Sequence, residues 1–330
     1  MEDDPLFRRI RQHAELRLSF RASQSDKDRL EQIKEFMRLE REMLFRYHQK
    51  GDPGLRLTRA RAVILDVLIQ NLFDYAIEVV SESSDRIKPM CILATGGYGR
   101  GELSPHSDID LMFLYPRQSM GKSLDFLKKT MTREILYPLW DTGMKVGHAS
   151  REVKEAINEA QKDIRNKNSM LDARYVCGDR KVAQNFISRF IKFCRKNQPA
   201  KYLAELLGHQ EERRAEKGNT VFLQAPDVKN GVGGLRDYQG ILWMAKVKFE
   251  KEGLEGLIGR NYLSEQEAKS FEDAYSFLLR VRNELHFRSK RPVDLLHLEK
   301  QPEVALGLGY EEPDIFRRVE SFMGDYYSNA

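Results

Sequence analysis

The sequence predicts an α+β protein, a small mixed β-sheet core with mainly helical flanking domains. Two long stretches, one before and one after the middle of the chain, carry charged and apolar residues at helical spacing. Between them lie short apolar runs that end in glycines or turn residues, the mark of brief buried strands. Single helices separate these runs, which implies a small mixed sheet covered by helices. At 330 residues the chain is long enough for two or three domains and a sizeable core.

Residues from about Leu6 to Tyr47 are dense in Arg, Glu, Lys and Leu and read as one or two helices, their charges on solvated faces. Gly51-Asp52-Pro53-Gly54 breaks that pattern. Val63, Ile64, Val67, Leu68, Leu72 and Ile77 then form a core-facing stripe. Pro89 to Thr95 is a buried strand, paired across a glycine turn with a strand from Asp108 to Tyr115. A helix follows from Ser123 to about Leu136, ending ahead of Pro138, and Gly143 to His148 is a further strand. From Arg151 to about Ala215 the chain is helical, with Leu171 to Asp179 left unassigned. A second glycine-rich loop, Pro226 to Asp237, precedes helices around Leu278–His286 and Ile315–Tyr327. The expected domains are 1–84, helical; 85–180, the sheet core; and 181–330, helical.

Composition narrows the class. The chain is 41% hydrophobic and 32% charged, with 55 basic against 50 acidic residues, a net charge of +5. That balance is too mild for a nucleic-acid-binding protein, which carries a clustered basic face. The acidic start, Met1-Glu2-Asp3-Asp4-Pro5, has no apolar run, so no secretory signal is expected, and no apolar run approaches the ~18 residues that span a bilayer. Cys91, Cys177 and Cys194 lack metal-ligand spacing and read as free thiols. The expectation is a cytoplasmic protein without membrane or nucleic-acid partners.

The chemistry concentrates in Thr95-Gly96-Gly97-Tyr98-Gly99-Arg100-Gly101-Glu102-Leu103 and Ser107-Asp108-Ile109-Asp110-Leu111. On a strand, Asp108 and Asp110 face the same side and converge beside the glycine turn. Adjacent carboxylates repel unless a cation lies between them, and hard oxygen donors suit Mg²⁺, with Mn²⁺ as an alternative. Gly96 and Gly97 let backbone amides approach a phosphate chain. Neither glycine loop supplies the Lys-[ST] pair of a P-loop or the third glycine of a dinucleotide fingerprint, and kinase signatures are absent. The parts make a site for a metal-bound nucleoside triphosphate.

An apolar strand, Gly-Gly, ten residues and then Asp-hydrophobe-Asp resembles the signature of the polymerase-beta-like nucleotidyltransferases. Leu139-Trp140-Asp141, Val146-Gly147-His148, Leu171-Asp172-Ala173-Arg174, Pro226-Asp227-Val228-Lys229, Gly233-Gly234-Leu235-Arg236-Asp237, Arg280-Val281-Arg282 with Leu285-His286, and Asp325-Tyr326-Tyr327 extend the match. Over residues 60 to 330 the chain resembles the bacterial protein-PII uridylyltransferases. The resemblance implies transfer of UMP from UTP to a tyrosine of a PII-type signalling protein, with pyrophosphate released. It also implies that Gly96 and Gly97 bind nucleotide and that Asp108 and Asp110 bind metal. The related glutamine-synthetase adenylyltransferases, and a non-catalytic nucleotide-binding regulator, are the rival expectations. Family members continue into an HD-type phosphohydrolase domain and ACT domains, so the end of this chain reads as a cut through a longer protein.

Other positions carry alternatives. Asp172 is the candidate third catalytic and metal-binding carboxylate, or else an ion-pair partner of Arg174 or a helix-surface acid. Arg100 either contacts phosphate or lies on the surface, and Ser107 either contacts phosphate or serves a turn. Lys229, Arg236 and Asp237 lie in a loop that either folds over the nucleotide, or positions the protein substrate, or is a turn held by an Arg–Asp pair. His148 reads as a packed histidine, and Arg280, Arg282 and His286 as residues that need not share a helix face.

Overall fold

The computed structural model describes residues 4–21, 24–83, 89–116, 122–249 and 253–330. The expected boundary at 84–85 and the first three residues of the acidic start lie outside these. Helix α1 (Pro5–Arg17) begins where the Asp4 carboxylate accepts from the Leu6 amide at 2.8 Å, with a proline in its first turn. α2 (Asp26–Gln49) and α3 (Gly54–Ser83) follow. Ile10, Ile33 and Phe36 are fully buried on α1 and α2, while Arg38 pairs with Glu35 and Glu42 on an exposed face. The solvated-face expectation fails at two charges. Arg29 and Glu40 are 3% and 1% exposed, and burial is sustained because each has an ionic partner, Glu134 at 3.0 Å for Arg29 and Arg17 at 3.3 Å for Glu40, which also hydrogen-bonds with His13 at 2.7 Å.

Strand β1 (Cys91–Thr95) is buried throughout and runs into a four-residue helix, α4 (Gly96–Gly99). Strand β2 (Ile109–Tyr115) returns antiparallel to it. Helix α5 (Lys122–Met131) passes through one π turn at Thr132–Leu136 into α6 (Tyr137–Asp141). The expected stop ahead of Pro138 does not occur. The widened turn restarts the helix, so Pro138 falls in a first turn, where its missing N–H costs no hydrogen bond. Strand β3 (Val146–Glu152) lies parallel to β2, and α7 (Val153–Lys162) and α8 (Ile164–Leu171) lead to β4 (Arg174–Gly178), antiparallel to β1. The unassigned segment 171–179 is thus a helix end and a strand. The sheet is mixed, in the order β3-β2-β1-β4.

The rest of the chain is helical: α9 (Arg180–Lys196), α10 (Pro199–Glu216), α11 (Leu235–Lys248), α12 (Leu254–Ile258), α13 (Glu265–Phe287), a 3₁₀ turn at Leu298–Lys300, α14 (Gln301–Gly307) and α15 (Ile315–Asn329). Two compact units result. Unit 1 takes residues 1–44, 59–103 and 107–192 and holds the sheet. Its buried side chains include Ile64, Leu65, Leu68 and Leu72 of α3 and the stacked Phe186 and Phe190 rings, 5.4 Å apart. Unit 2 takes residues 45–58, 104–106 and 193–330. Its core joins Val228 and Leu235 to Leu278, Leu279, Val281 and Leu285 of α13 and to Phe322 and Tyr326 of α15.

Glu134 reaches Arg29 from the π turn, and both side chains are 4% exposed. Glu134→Ala should cost about 3 kcal/mol in urea unfolding, because it leaves a buried guanidinium under-compensated. Replacing both partners together, Arg29→Met with Glu134→Leu, should restore most of the loss.

Candidate active site

One end of the sheet gathers the polar residues. The strand pairing sets Thr95, the last residue of β1, opposite Asp110, and Asp110 beside Gly147 of β3. Ala94 lies opposite Arg174, the first residue of β4. β1 therefore ends where β2, β3 and β4 begin. Asp108 precedes β2 and is exposed; Asp110 lies within it and is half-buried. The Ile109 amide between them donates to the Lys145 carbonyl at 2.9 Å, which fixes the backbone that carries both carboxylates.

Two glycines make room for the Asp110 carboxylate. A Cβ at Gly147 would fall 2.6 Å from Asp110 Oδ1, closer than real contacts allow. A Cβ at Gly96 would lie 3.2 Å from Asp110 Oδ2, and Gly96 has φ +57°, a conformation that disfavours side chains. Gly97 opens the same turn, and its carbonyl accepts from the Glu102 amide at 2.8 Å. The carboxylate is thus seated against backbone on two sides, between the glycine turn and the exposed Gly147.

Helix α4 is held by a clamp of three side chains. Asp66 of α3 accepts from the Tyr98 hydroxyl at 2.7 Å and from both Arg174 Nη atoms, at 2.7 and 3.0 Å. Arg174 also donates to the Gly99 and Tyr98 carbonyls, at 3.3 Å each. Burial first, and the adjacent Asp66 charge second, push the Tyr98 phenol well above its ordinary pKa, so it remains a donor. Burial depresses the Arg174 pKa, but the Asp66 carboxylate outweighs it and the net direction is upward. Asp66 was missed in the sequence; its one signal is that it is an acid, one of two with Asp74, inside the apolar stretch of α3.

Arg100 donates to Glu102 Oε2 at 2.7 Å and to Asp172 Oδ2. Asp172 follows α8, and its side chain is 6% exposed. The ion pair weighed for Asp172 forms with Arg100, whereas Arg174 is paired with Asp66. Among the described residues no three His, Cys, Asp or Glu side chains group so as to hold a metal ion. Asp172 is held instead in its pair with Arg100. Two hard carboxylates at i and i+2, one of them seated by a glycine cradle, do fit a divalent cation whose remaining ligands are phosphate oxygens and water. Ser107, partly buried and outside any strand, precedes the pair. His148 is exposed and meets Trp140 edge-on at 5.6 Å.

The remaining sequence candidates belong to unit 2. Lys229 Nζ lies 3.8 Å from Asp294 Oδ2. Arg236 donates to Gln239 at 2.9 Å, with its guanidinium 5.7 Å from the Trp243 ring centre. Asp237 pairs with Arg213 and Arg214 of α10 and accepts from the Gly233 amide at 2.9 Å, so the Arg–Asp pair of this turn does not involve Arg236. Arg280 donates to the Leu308 carbonyl. Arg282 and His286, four residues apart, do share a face: both donate to Asp294 Oδ1, at 2.7 and 3.2 Å.

The sequence is similar to known proteins. Residues 201–330 match the family model for GlnD PII-uridylyltransferase, and residues 16–134 match that for glutamate-ammonia ligase adenylyltransferase. Over 281 residues the chain is 34% identical to a bifunctional uridylyltransferase/uridylyl-removing enzyme of Phenylobacterium zucineum, covering 84% of this chain and 29% of that protein. The enzyme of the same description from Rhodospirillum rubrum is 33% identical over 287 residues, 86% of this chain and 30% of its own length. That from Nitrobacter winogradskyi is 37% identical over 241 residues, 73% and 26%. The chain thus spans under a third of the length of these relatives. Within that span, it belongs to the uridylyltransferase/uridylyl-removing enzyme family.

Proposed function

We propose that this chain carries the nucleotidyl-transfer site of its family and moves UMP from UTP to a tyrosine hydroxyl of a PII-type protein in the cytoplasm. The observation that carries the reading is the carboxylate pair, Asp108 exposed and Asp110 cradled by Gly96 and Gly147 at one end of the sheet. The acceptor oxygen would attack the α-phosphorus of the nucleotide, the bond from that phosphorus to the bridging oxygen would break, and pyrophosphate would leave. Mg²⁺ or Mn²⁺ bound by Asp108 and Asp110 supplies charge neutralisation on the phosphate oxygens. The chain's own part is to present those carboxylates on a fixed strand start and to hold the Gly96–Gly97 turn beside them. Arg100 and Asp172 act on that arrangement through their mutual pair, and Ser107 contributes a nucleotide contact. No described helix is long and apolar enough to cross a membrane, and the near-balanced charge favours no nucleic acid.

One observation favours a second reading. The stretch that contains the glycine turn and both aspartates, within 16–134, matches the adenylyltransferase family model. Adenylyl transfer from ATP to another protein keeps the same chemistry with a different base and acceptor. A regulator that binds nucleotide without turnover is the remaining alternative.

The test is transfer of radiolabel from α-labelled UTP to a PII-type protein, with ATP, CTP and GTP in parallel. Asp108→Asn with Asp110→Asn should abolish transfer without lowering the thermal midpoint by more than about 2 °C, since neither side chain is in the core. Undiminished transfer by the double variant rejects the site, and labelling from ATP alone selects the second reading. Gly147→Ala should displace the Asp110 carboxylate and weaken Mn²⁺ binding, followed by calorimetry, by roughly tenfold (about 1.4 kcal/mol).

A further inference from the structure

Within the glycine–aspartate signature, Ser104, Pro105 and His106 pack with unit 2, while Ser107 and Asp108 follow directly in the chain. Ser104 is fully buried, and Arg282 approaches its hydroxyl at 3.4 Å. The His106 amide donates to Nδ1 of His286 at 3.1 Å, and the His106 ring donates from Nε2 to the Ser289 carbonyl at 2.8 Å. The segment is thus held through both backbone and side chain by residues at the end of α13.

His286 is fully buried, and its two ring nitrogens have different partners. An amide N–H can only donate, so Nδ1 must be the acceptor and the proton must sit on Nε2. That proton points to Asp294 Oδ1 at 3.2 Å, and the same oxygen accepts from Arg282 Nε at 2.7 Å. Burial, with Arg282 nearby, lowers the His286 pKa to about 4 despite the Asp294 hydrogen bond, so the ring is neutral in this arrangement. Burial alone would raise the Asp294 pKa, but His286 and Arg282 hold it well below the carboxylate range. Asp294 is itself tied to the second glycine loop: its carbonyl accepts from the Val228 amide at 2.8 Å, and Lys229 Nζ lies 3.8 Å from its carboxylate.

We propose that His286 is a positioning residue: oriented by Asp294, it fixes the His106 amide and thereby the chain segment that delivers Asp108. The inference rests on the reading of Asp108 as part of the transfer site, but its geometric half is independent of activity. His286 touches neither nucleotide nor acceptor in this proposal. It acts through one backbone hydrogen bond.

The test compares three substitutions in the full chain. His286→Asn keeps an acceptor near the position of Nδ1, His286→Gln keeps a donor toward Asp294 without that acceptor, and His286→Leu removes both. Amide hydrogen exchange at His106, read by NMR, should accelerate at least about tenfold in the Leu and Gln variants and stay near wild type in the Asn variant. In transfer assays kcat should fall about tenfold to a hundredfold in Leu and Gln, with KM for the nucleotide changed by less than about twofold, and Asn should recover most of kcat. If His286→Leu fails to fold, His286→Gln carries both measurements. Unchanged His106 exchange in the Gln variant overturns the geometry. Accelerated exchange with unchanged kcat overturns the positioning role. A wild-type chain that transfers no nucleotide would reject the functional reading and, with it, the kinetic half, while the exchange result would still decide the hydrogen bond.

Discussion

The candidate site depends on one half-buried carboxylate, that of Asp66. Helix α4 has four residues, too few to repay the cost of helix nucleation by its own hydrogen bonds. Its geometry must come from outside, and Asp66 supplies it by accepting from Tyr98 within the helix and from Arg174 on β4. Arg174 then reaches the Gly99 and Tyr98 carbonyls, so α3, α4 and β4 are joined around two charges. Such a network specifies one arrangement of the turn more than it adds net stability, because the desolvation of the charges offsets much of their attraction. A precise turn is what a site that grips phosphate through backbone needs.

The same logic sorts the acids of unit 1. Asp66 neutralises Arg174, and Asp172 and Glu102 neutralise Arg100. These carboxylates are committed to arginines that hold the turn. Asp108 stands exposed, and Asp110 sits where missing side chains at Gly96 and Gly147 leave room for it. Asp172 carries a charge-assisted pair with Arg100, and a metal-binding role for it would have to accommodate that pair.

Much of this was legible in the sequence. The strand–glycine turn–strand unit, the mixed sheet and its helical flanks follow from apolar runs closed by glycine and from helical spacing, and all appear in the structure. What was not legible depended on contacts distant in sequence. β4 was unassigned because Arg174 breaks its apolar pattern, and Arg174 is half-buried where the strand begins at the Asp66 clamp. The choice of Arg100 over Arg174 as partner of Asp172 is a matter of geometry across 72 residues, which no local pattern encodes. Arg282 and His286 were readable as an i, i+4 pair, but their common target, Asp294, lies in a loop with no periodicity of its own.

The second glycine loop shows how a motif that looks mobile can be rigid. Asp227 Oδ1 accepts from the Lys229 and Asn230 amides, at 3.1 and 2.8 Å, and Asp237 Oδ2 accepts from Gly233. Arg213 donates to the Asn230 carbonyl at 2.7 Å and also pairs with Asp237, closing the loop onto α10. The Leu296 amide donates to the Pro226 carbonyl, and Asp227 and Leu295 form a β-bridge, closing its other side. With its carboxylates spent on its own amides, the loop is a preformed brace, since opening it would break several charge-assisted hydrogen bonds at once. Because the brace is anchored at Asp294, it stiffens the carboxylate that orients His286. The glycines of this loop serve its close packing: a Cβ at Gly231 would lie 2.5 Å from the Asp227 carbonyl oxygen and one at Gly234 2.8 Å from that of Val228.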